Sequence, residues 1–235
     1  MSPRASSIVN IFLLAALVAG GAWAAPWKID LAQSCFVVVT HPDGVAASLA
    51  HPHVVVAVEP RTELDFDPAH PEATRFSFEV PVLALEVDAP ETRAALAPKL
   101  REAGALDEPL KEISASTQAK IRRDMLDAGQ LFAERYPEIR ATLTSFTPRG
   151  AATAAGVLEG SAKVKIELRG MAVERDFPAR ITVTPGELRA HIVGELAFTD
   201  FGIKPYSALL GAIRNADRFH LFVEVVAAPA ATPAP

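Results

Sequence analysis

The stretch Arg75-Phe76-Ser77-Phe78-Glu79-Val80-Pro81-Val82 decides the fold class. Successive side chains of a strand point to opposite faces, so Phe76, Phe78, Val80 and Val82 share one face while Arg75, Ser77 and Glu79 share the other. One face suits a core and the other suits water, as in an antiparallel sheet solvated on one side. Residues 163–169 repeat the pattern, with Val164, Ile166 and Leu168 inward. Similar runs at 35–40, 53–58, 62–66, 139–146, 177–184, 188–198 and 219–226 bring the expected strands to nine.

Turn chemistry separates these runs. Thr184-Pro185-Gly186-Glu187 predicts a tight hairpin and Pro148-Arg149-Gly150 a looser connection, so consecutive strands should pair. Residues 89–135 break the alternation, and Ile113, Thr117, Ile121 and Met125 fall at helical four-residue spacing. With Pro98 and Pro109 as interruptions, a short helical segment near 90–106 and a longer one near 110–127 are expected. Many strands, one helical insertion and no repeating βα units give an all-β, antiparallel barrel or sandwich.

Composition sets further bounds. The chain of 235 residues is 50% hydrophobic and 22% charged, as globular domains are. Its net charge of −5 gives no sequence-wide attraction to nucleic acid or anionic lipid. A single cysteine, Cys35, excludes an intramolecular disulfide framework and any zinc site of paired cysteines. Residues 1–24 carry one charge, Arg4, then an apolar run from Ile11 to Val18 and the small-residue ending Ala22-Trp23-Ala24, which reads as a cleaved signal peptide. A periplasmic or secreted protein is expected, with one domain at 25–226, a disordered Ala/Pro tail at 227–235, and no integral membrane segment in the mature chain.

Four ordered segments carry a resemblance. Trp27-Lys28-Ile29-Asp30-Leu31-Ala32-Gln33-Ser34 resembles the W-x-I-D-x-x-x-S opening of the YceI-like family. Arg123-Asp124-Met125-Leu126 through Tyr136-Pro137-Glu138-Ile139 is similar to its helix-to-strand passage, Leu168-Arg169-Gly170-Met171 to its L-x-G-V hairpin corner, and Thr199-Asp200-Phe201-Gly202-Ile203 to its T-D-F-G-I segment. The resemblance implies an extended antiparallel, lipocalin-like β-barrel of about eight strands, exported and enclosing an isoprenoid, polyisoprenoid quinone or fatty-acyl lipid. This chain departs from the commoner pattern at His51-Pro52-His53 and in a longer stretch around 90–112.

In such a barrel the alternation places Phe36, Val38, Val54, Val56, Phe76, Phe78, Val80, Leu143, Ile166, Ile181, Ile192, Leu196, Phe198 and Val223 inward. Phe201 and Ile203 would close one mouth, with 206–213 as a short helical lid. These residues serve equally as a ligand wall or as an ordinary filled core. A ligand of roughly 15–25 carbons would gain on the order of 12–20 kcal/mol gross at about 0.8 kcal/mol per buried methylene. Association costs about 4–15 kcal/mol, so no charged or catalytic group is needed for useful affinity.

The rival signal is His51-Pro52-His53. Residues two apart in extended chain point the same way, Pro52 biases His51 toward that geometry, and two imidazoles suit zinc or copper. A zinc site needs a third protein ligand, and His41 is the nearest histidine in sequence. The alternative is a pair of histidines bonded to backbone or water, and no cofactor is expected on that reading. His70, His191 and His220 read as surface positions, and Asp124 and Asp127 as the wet side of a helix. The chain has no G-x-S-x-G elbow, no H-E-x-x-H helix, no glycine-rich phosphate loop and no C-x-x-C pair, so a non-enzymatic protein is expected. A barrel without ligand, serving a structural or stress-response role, is the remaining reading.

Overall fold

A computed structural model describes residues 25–230. Its strands in chain order are β1 (Ala25–Ile29), β2 (Cys35–Asp43), β3 (His53–Ala57), β4 (Arg61–Phe66), β5 (Arg75–Pro81) and β6 (Leu85–Val87). Two helices follow, α1 (Pro90–Glu102) and α2 (Ala115–Leu126). The chain then adds β7 (Glu138–Pro148), β8 (Val157–Leu168), β9 (Met171–Val183), β10 (Leu188–Ala197), β11 (Ser207–Ala208) and β12 (Ile213–Pro229). The signal-peptide reading concerns residues 1–24, outside the described range. Among the described residues no helix is long and apolar enough to cross a membrane.

Eight strands close a ring in the order β1-β4-β5-β7-β8-β9-β10-β12, with β12 pairing back onto β1. All neighbours are antiparallel, as the one-sided alternation requires. β2 takes over from β1 along β12, pairing Cys35 through Asp43 with Glu224 through Arg214. β3 and β6 likewise prolong β4 and β5, since β2 pairs β3 and β3 pairs β6. Three walls are therefore long strands broken once. The first break is a turn in which the Asp30 carboxylate accepts the Ala32 and Gln33 N–H groups; the second is Glu59-Pro60, where Glu59 has a φ of 49°; the third is a 3-10 turn over Val82–Ala84.

Each of the nine expected strands coincides with an observed one, five of them running a single residue past its end, and the hairpin at Thr184 closes with Thr184 N–H donating to the Glu187 carbonyl. Three short strands, β1, β6 and β11, are additional. The expected tail begins too early, because Ala227, Ala228 and Pro229 continue β12 and pair with Ile29, Lys28 and Trp27 to close the barrel. Pro98 does not interrupt α1 but lies inside it, on the exposed side. The missing N–H costs one helical bond, while Ala97 and Leu100 on the opposite side hold the helix against the barrel. The segment at 206–213 is β11 and a 3-10 turn rather than a helical lid.

α1 packs on the outside of the barrel. Ala97, Leu100, Ala105 and Leu106 cover the outward side chains Val37, Val39, Val54 and Phe222. α2 lies along the free edge of β6, where Gln118 Nε2 donates to the Val87 carbonyl and Arg122 Nη2 to the Leu83 carbonyl, each at 2.8–2.9 Å. An exposed sheet edge invites pairing with another chain, and α2 removes that opportunity. The Ser114 hydroxyl caps α2 by accepting the Thr117 N–H.

Candidate functional site

Beneath α1 the burial of β2 is the reverse of what a filled barrel would show, and elsewhere much of the inner wall is only partly buried. Val37 and Val39, on the outer face beneath α1, are 0% exposed. Their inward neighbour Val38 is only half-buried, as are Phe76, Phe78, Leu143, Val164, Ile192, Leu221 and Val223 on the inner walls. Protein interiors are close-packed, so inward residues retain exposure only if they face a void. That void is a cavity of about 540 Å³.

One end of the cavity is sealed. Phe66, Phe146, Leu158 and Leu188 pack together there, and Trp27 adds its indole, whose Nε1–H donates to the Phe66 carbonyl at 3.0 Å. Glycines on the inner wall set how the seal and the side wall are filled. A β-carbon on Gly160 would lie 2.6 Å from the Phe146 ring, and one on Gly194 would lie 2.3 Å from the Phe177 ring. Each phenyl ring therefore occupies the space that a side chain on the glycine would take.

The other end carries the polar groups. Thr117, Lys120, Ile121, Asp124 and Met125 of α2 border it together with Gln130, Tyr206 and the segment from Leu49 to His53. Lys120 Nζ donates to Asp124 Oδ2 at 2.5 Å and the Tyr206 hydroxyl donates to the same oxygen at 3.1 Å. Burial pushes the Asp124 carboxyl up, but these two donors outweigh it and hold its pKa below the ordinary value. The hydrogen bond to Asp124 in turn raises Lys120. Asp124, whose side chain keeps a third of its exposure, is thus solvated as its spacing with Asp127 suggests and is also part of the cavity rim.

Of the residues expected to face inward, Phe36, Val38, Phe76, Phe78, Val80, Leu143, Ile166, Ile181, Ile192, Leu196, Phe198, Phe201 and Val223 line the cavity, and so does Ile203. Val54 and Val56 do not. They point outward against α1 and its following loop, and Val55, Ala57 and His53 supply the β3 contribution to the wall. Phe201 and Ile203 are almost fully buried against Phe177, Leu196 and Phe219, forming part of the wall rather than a movable mouth.

The histidines sort into two groups. His51 and His53 both border the cavity, with ring centroids 4.8 Å apart and edge to face. His53 Nδ1 is 2.7 Å from Asp88 Oδ2, and the other carboxylate oxygen accepts the Val54 N–H at 3.0 Å. Burial, then the neighbouring His53, pushes the His51 pKa down. His41 is not with them. It sits outside the barrel, where its Nε2 is 2.9 Å from His220 Nδ1, and His220 Nε2 is 3.3 Å from Glu195. His220 therefore has partners that its sequence position did not reveal, and His191 packs its ring edge to face with Phe222. Burial, then Glu224, pushes the Cys35 thiol up, which disfavours the thiolate a nucleophile needs.

No family model matches the chain, and no curated protein matches it. Solved structures do. BcnA from Burkholderia cenocepacia aligns at 13% identity over 85% of this chain and 99% of its own, with a TM-score of 0.57. A YceI protein from Campylobacter jejuni aligns at 13% identity over 74% of this chain and 83% of its own, with a TM-score of 0.52. A polyisoprenoid-binding domain from Saccharophagus degradans, implicated in plant cell wall breakdown, aligns at 9% identity over 88% and 99%, with a TM-score of 0.51. At these identities the likeness is one of fold. That fold, a closed antiparallel β-barrel shared with the YceI protein and the polyisoprenoid-binding domain, is the architecture that the four sequence segments imply.

Proposed function

We propose that this chain is an exported carrier that holds a long-chain hydrophobic ligand, an isoprenoid, polyisoprenoid quinone or fatty-acyl lipid, without chemistry. The observation that carries the reading is the hollow interior of about 540 Å³ walled by Phe, Val, Ile and Leu side chains. A methylene of about the size of a water, roughly 30 Å³, would fit on the order of 18 times. At about 0.8 kcal/mol per methylene that is on the order of 14 kcal/mol gross, enough to exceed the usual association cost of about 4–15 kcal/mol or to match it. The fold likeness to a polyisoprenoid-binding domain supports the same class of ligand, and the N-terminal segment read as a signal peptide supports export. A filled structural barrel is disfavoured by the half-buried inner wall.

Organic extraction of natively purified protein followed by mass spectrometry is the test. Release of a stoichiometric lipid is expected. A clean extract together with no uptake of added long-chain isoprenoid or fatty acid would overturn the proposal.

A further inference from the structure

We propose that His51, His53 and Asp88 form a binding site for a single divalent transition-metal ion of the zinc class in the cavity wall. Each residue offers one ligand atom, and the three atoms lie within 4.8 Å of one another. Two imidazoles and one carboxylate are a familiar zinc donor set, in which three protein ligands leave a fourth position open. Imidazole ligands favour zinc, copper and nickel over calcium and magnesium.

The surroundings look built around the carboxylate. Asp88 is buried, and its backbone adopts a φ of 54°, a left-handed conformation that aspartate accepts more readily than most side chains. Its side chain is held through Oδ1, which accepts the Val54 N–H at 3.0 Å and faces Arg93 Nε at 3.3 Å. Oδ2 is left for His53. Such outer contacts orient a metal-binding carboxylate while keeping one oxygen for the ion. An ion bound by both His53 Nδ1 and Asp88 Oδ2 would replace the 2.7 Å hydrogen bond between them, release its proton to solvent and draw the two atoms slightly apart to reach bonds of about 2 Å.

His51 supplies the independent observation. Its Nε2 is buried and has no hydrogen-bond partner, although most buried polar atoms have one. The hydroxyl of Thr40, which stands directly opposite His53 in the β2–β3 ladder and also borders the cavity, is likewise buried and unpartnered. An ion held by His51, His53 and Asp88 would engage the first, and a water on its open position would reach toward the second. Pro52 keeps the chain extended, so His51 and His53 present their rings on the same side.

The site is independent of the carrier reading, and its test reads metal rather than lipid. The purified protein is stripped with a chelator and titrated with Zn²⁺ against a chromophoric competitor, with Ca²⁺ as the control ion. A single zinc per chain, a zinc-dependent rise in melting temperature and no response to Ca²⁺ are expected. His51→Gln and His53→Gln should each weaken zinc binding by about tenfold or more. His51→Gln removes no hydrogen bond seen in the structure, so its circular dichroism should be unchanged; Asp88→Asn is the variant at risk of misfolding. X-ray absorption on zinc-loaded wild-type protein supplies a readout without mutation, and two imidazoles in the ion's shell are expected. Failure of wild type to retain zinc, equal retention by both histidine variants, or a shell of oxygen alone would each overturn the site.

Discussion

Gly170 turns β8 into β9, and its φ of 74° follows one of 53° at Arg169. Two consecutive left-handed residues make the primed turn that matches strand twist, and glycine adopts it without a β-carbon penalty. The same β-carbon would meet the Tyr136 ring at 2.7 Å. Arg169 meanwhile donates to the Gly202 and Ala128 carbonyls, both at 2.8 Å. Three of the four segments that carry the family resemblance therefore meet at one corner: Tyr136 packs on Gly170, and Arg169 ties that hairpin to Gly202. Gly170→Ala should cost about 2–3 kcal/mol, from strain at positive φ plus displacement of the ring. That corresponds to a melting temperature lower by roughly 4–12 °C for a chain of this size. Gly150→Ala is the control: its φ is 94° but nothing lies within 4 Å of the new β-carbon, so it should lose less. Equal losses in thermal denaturation would mean that the Tyr136 contact contributes nothing.

α1 is fastened to the barrel by charge as well as by packing. Glu224 on β12, buried beneath the helix, accepts from Lys99 of α1 and from Arg189 of β10, each at 2.5 Å. Burial pushes this carboxyl up, but the two cations outweigh it and hold its pKa below the ordinary 4.5. A carboxyl lowered on folding stabilises the native state above its unfolded pKa, and that stability is lost as pH falls through the folded pKa. Glu224→Gln should therefore cost about 1–3 kcal/mol at pH 7, with the gap to wild type shrinking below pH 4.5. Urea denaturation at several pH values measures it, and parallel stability curves for the two proteins would contradict it. The helix also explains what the sequence hid. Val54-Val55-Val56 is apolar on both faces because α1 covers the outside, so alternation cannot say which valines face inward, and Val54 and Val56 are assigned to the wrong side. β6 and β11 are three and two residues long, too short to express a period. β4, β5, β7, β8 and β9 are wet on one face, and their side chains could be sorted correctly from that alone, whereas β2 and β12 share with β3 an outer face covered by α1. Asp88 escapes for a different reason: it meets His53 across 35 residues of sequence, with no local pattern to announce it. Lys120 and Asp124 are visible as a helical i,i+4 pair, but their partner Tyr206 is 82 residues from Asp124.

For the whole molecule, the decisive quantity is the space that the inner wall leaves unfilled. Phe146 and Phe177 lie across Gly160 and Gly194, yet Val38, Val164 and Ile192 still face the void. Adding side-chain volume to a filled core usually costs about 1–3 kcal/mol through strain. Here the added volume enters empty space and buries apolar surface, so the cost should be small or reversed. Val164→Trp places an indole midway along β8 and should leave the melting temperature of the lipid-free protein level or higher. The same indole should exclude a long chain. A ligand that binds only the native state raises its stability by RT ln(1 + [L]/Kd), about 2.7 kcal/mol at a hundredfold excess over Kd. Wild-type protein should thus melt higher with added isoprenoid than after delipidation, whereas Val164→Trp should melt at one temperature in both conditions. A Val164→Trp protein that folds and still gains stability from the lipid would place the ligand outside the barrel. A variant that unfolds would mean the interior relaxes around the void more tightly than its exposed inner wall indicates. Because the two outcomes separate in the lipid-free melt, this one variant beside wild type tests the hollow interior and its occupant independently.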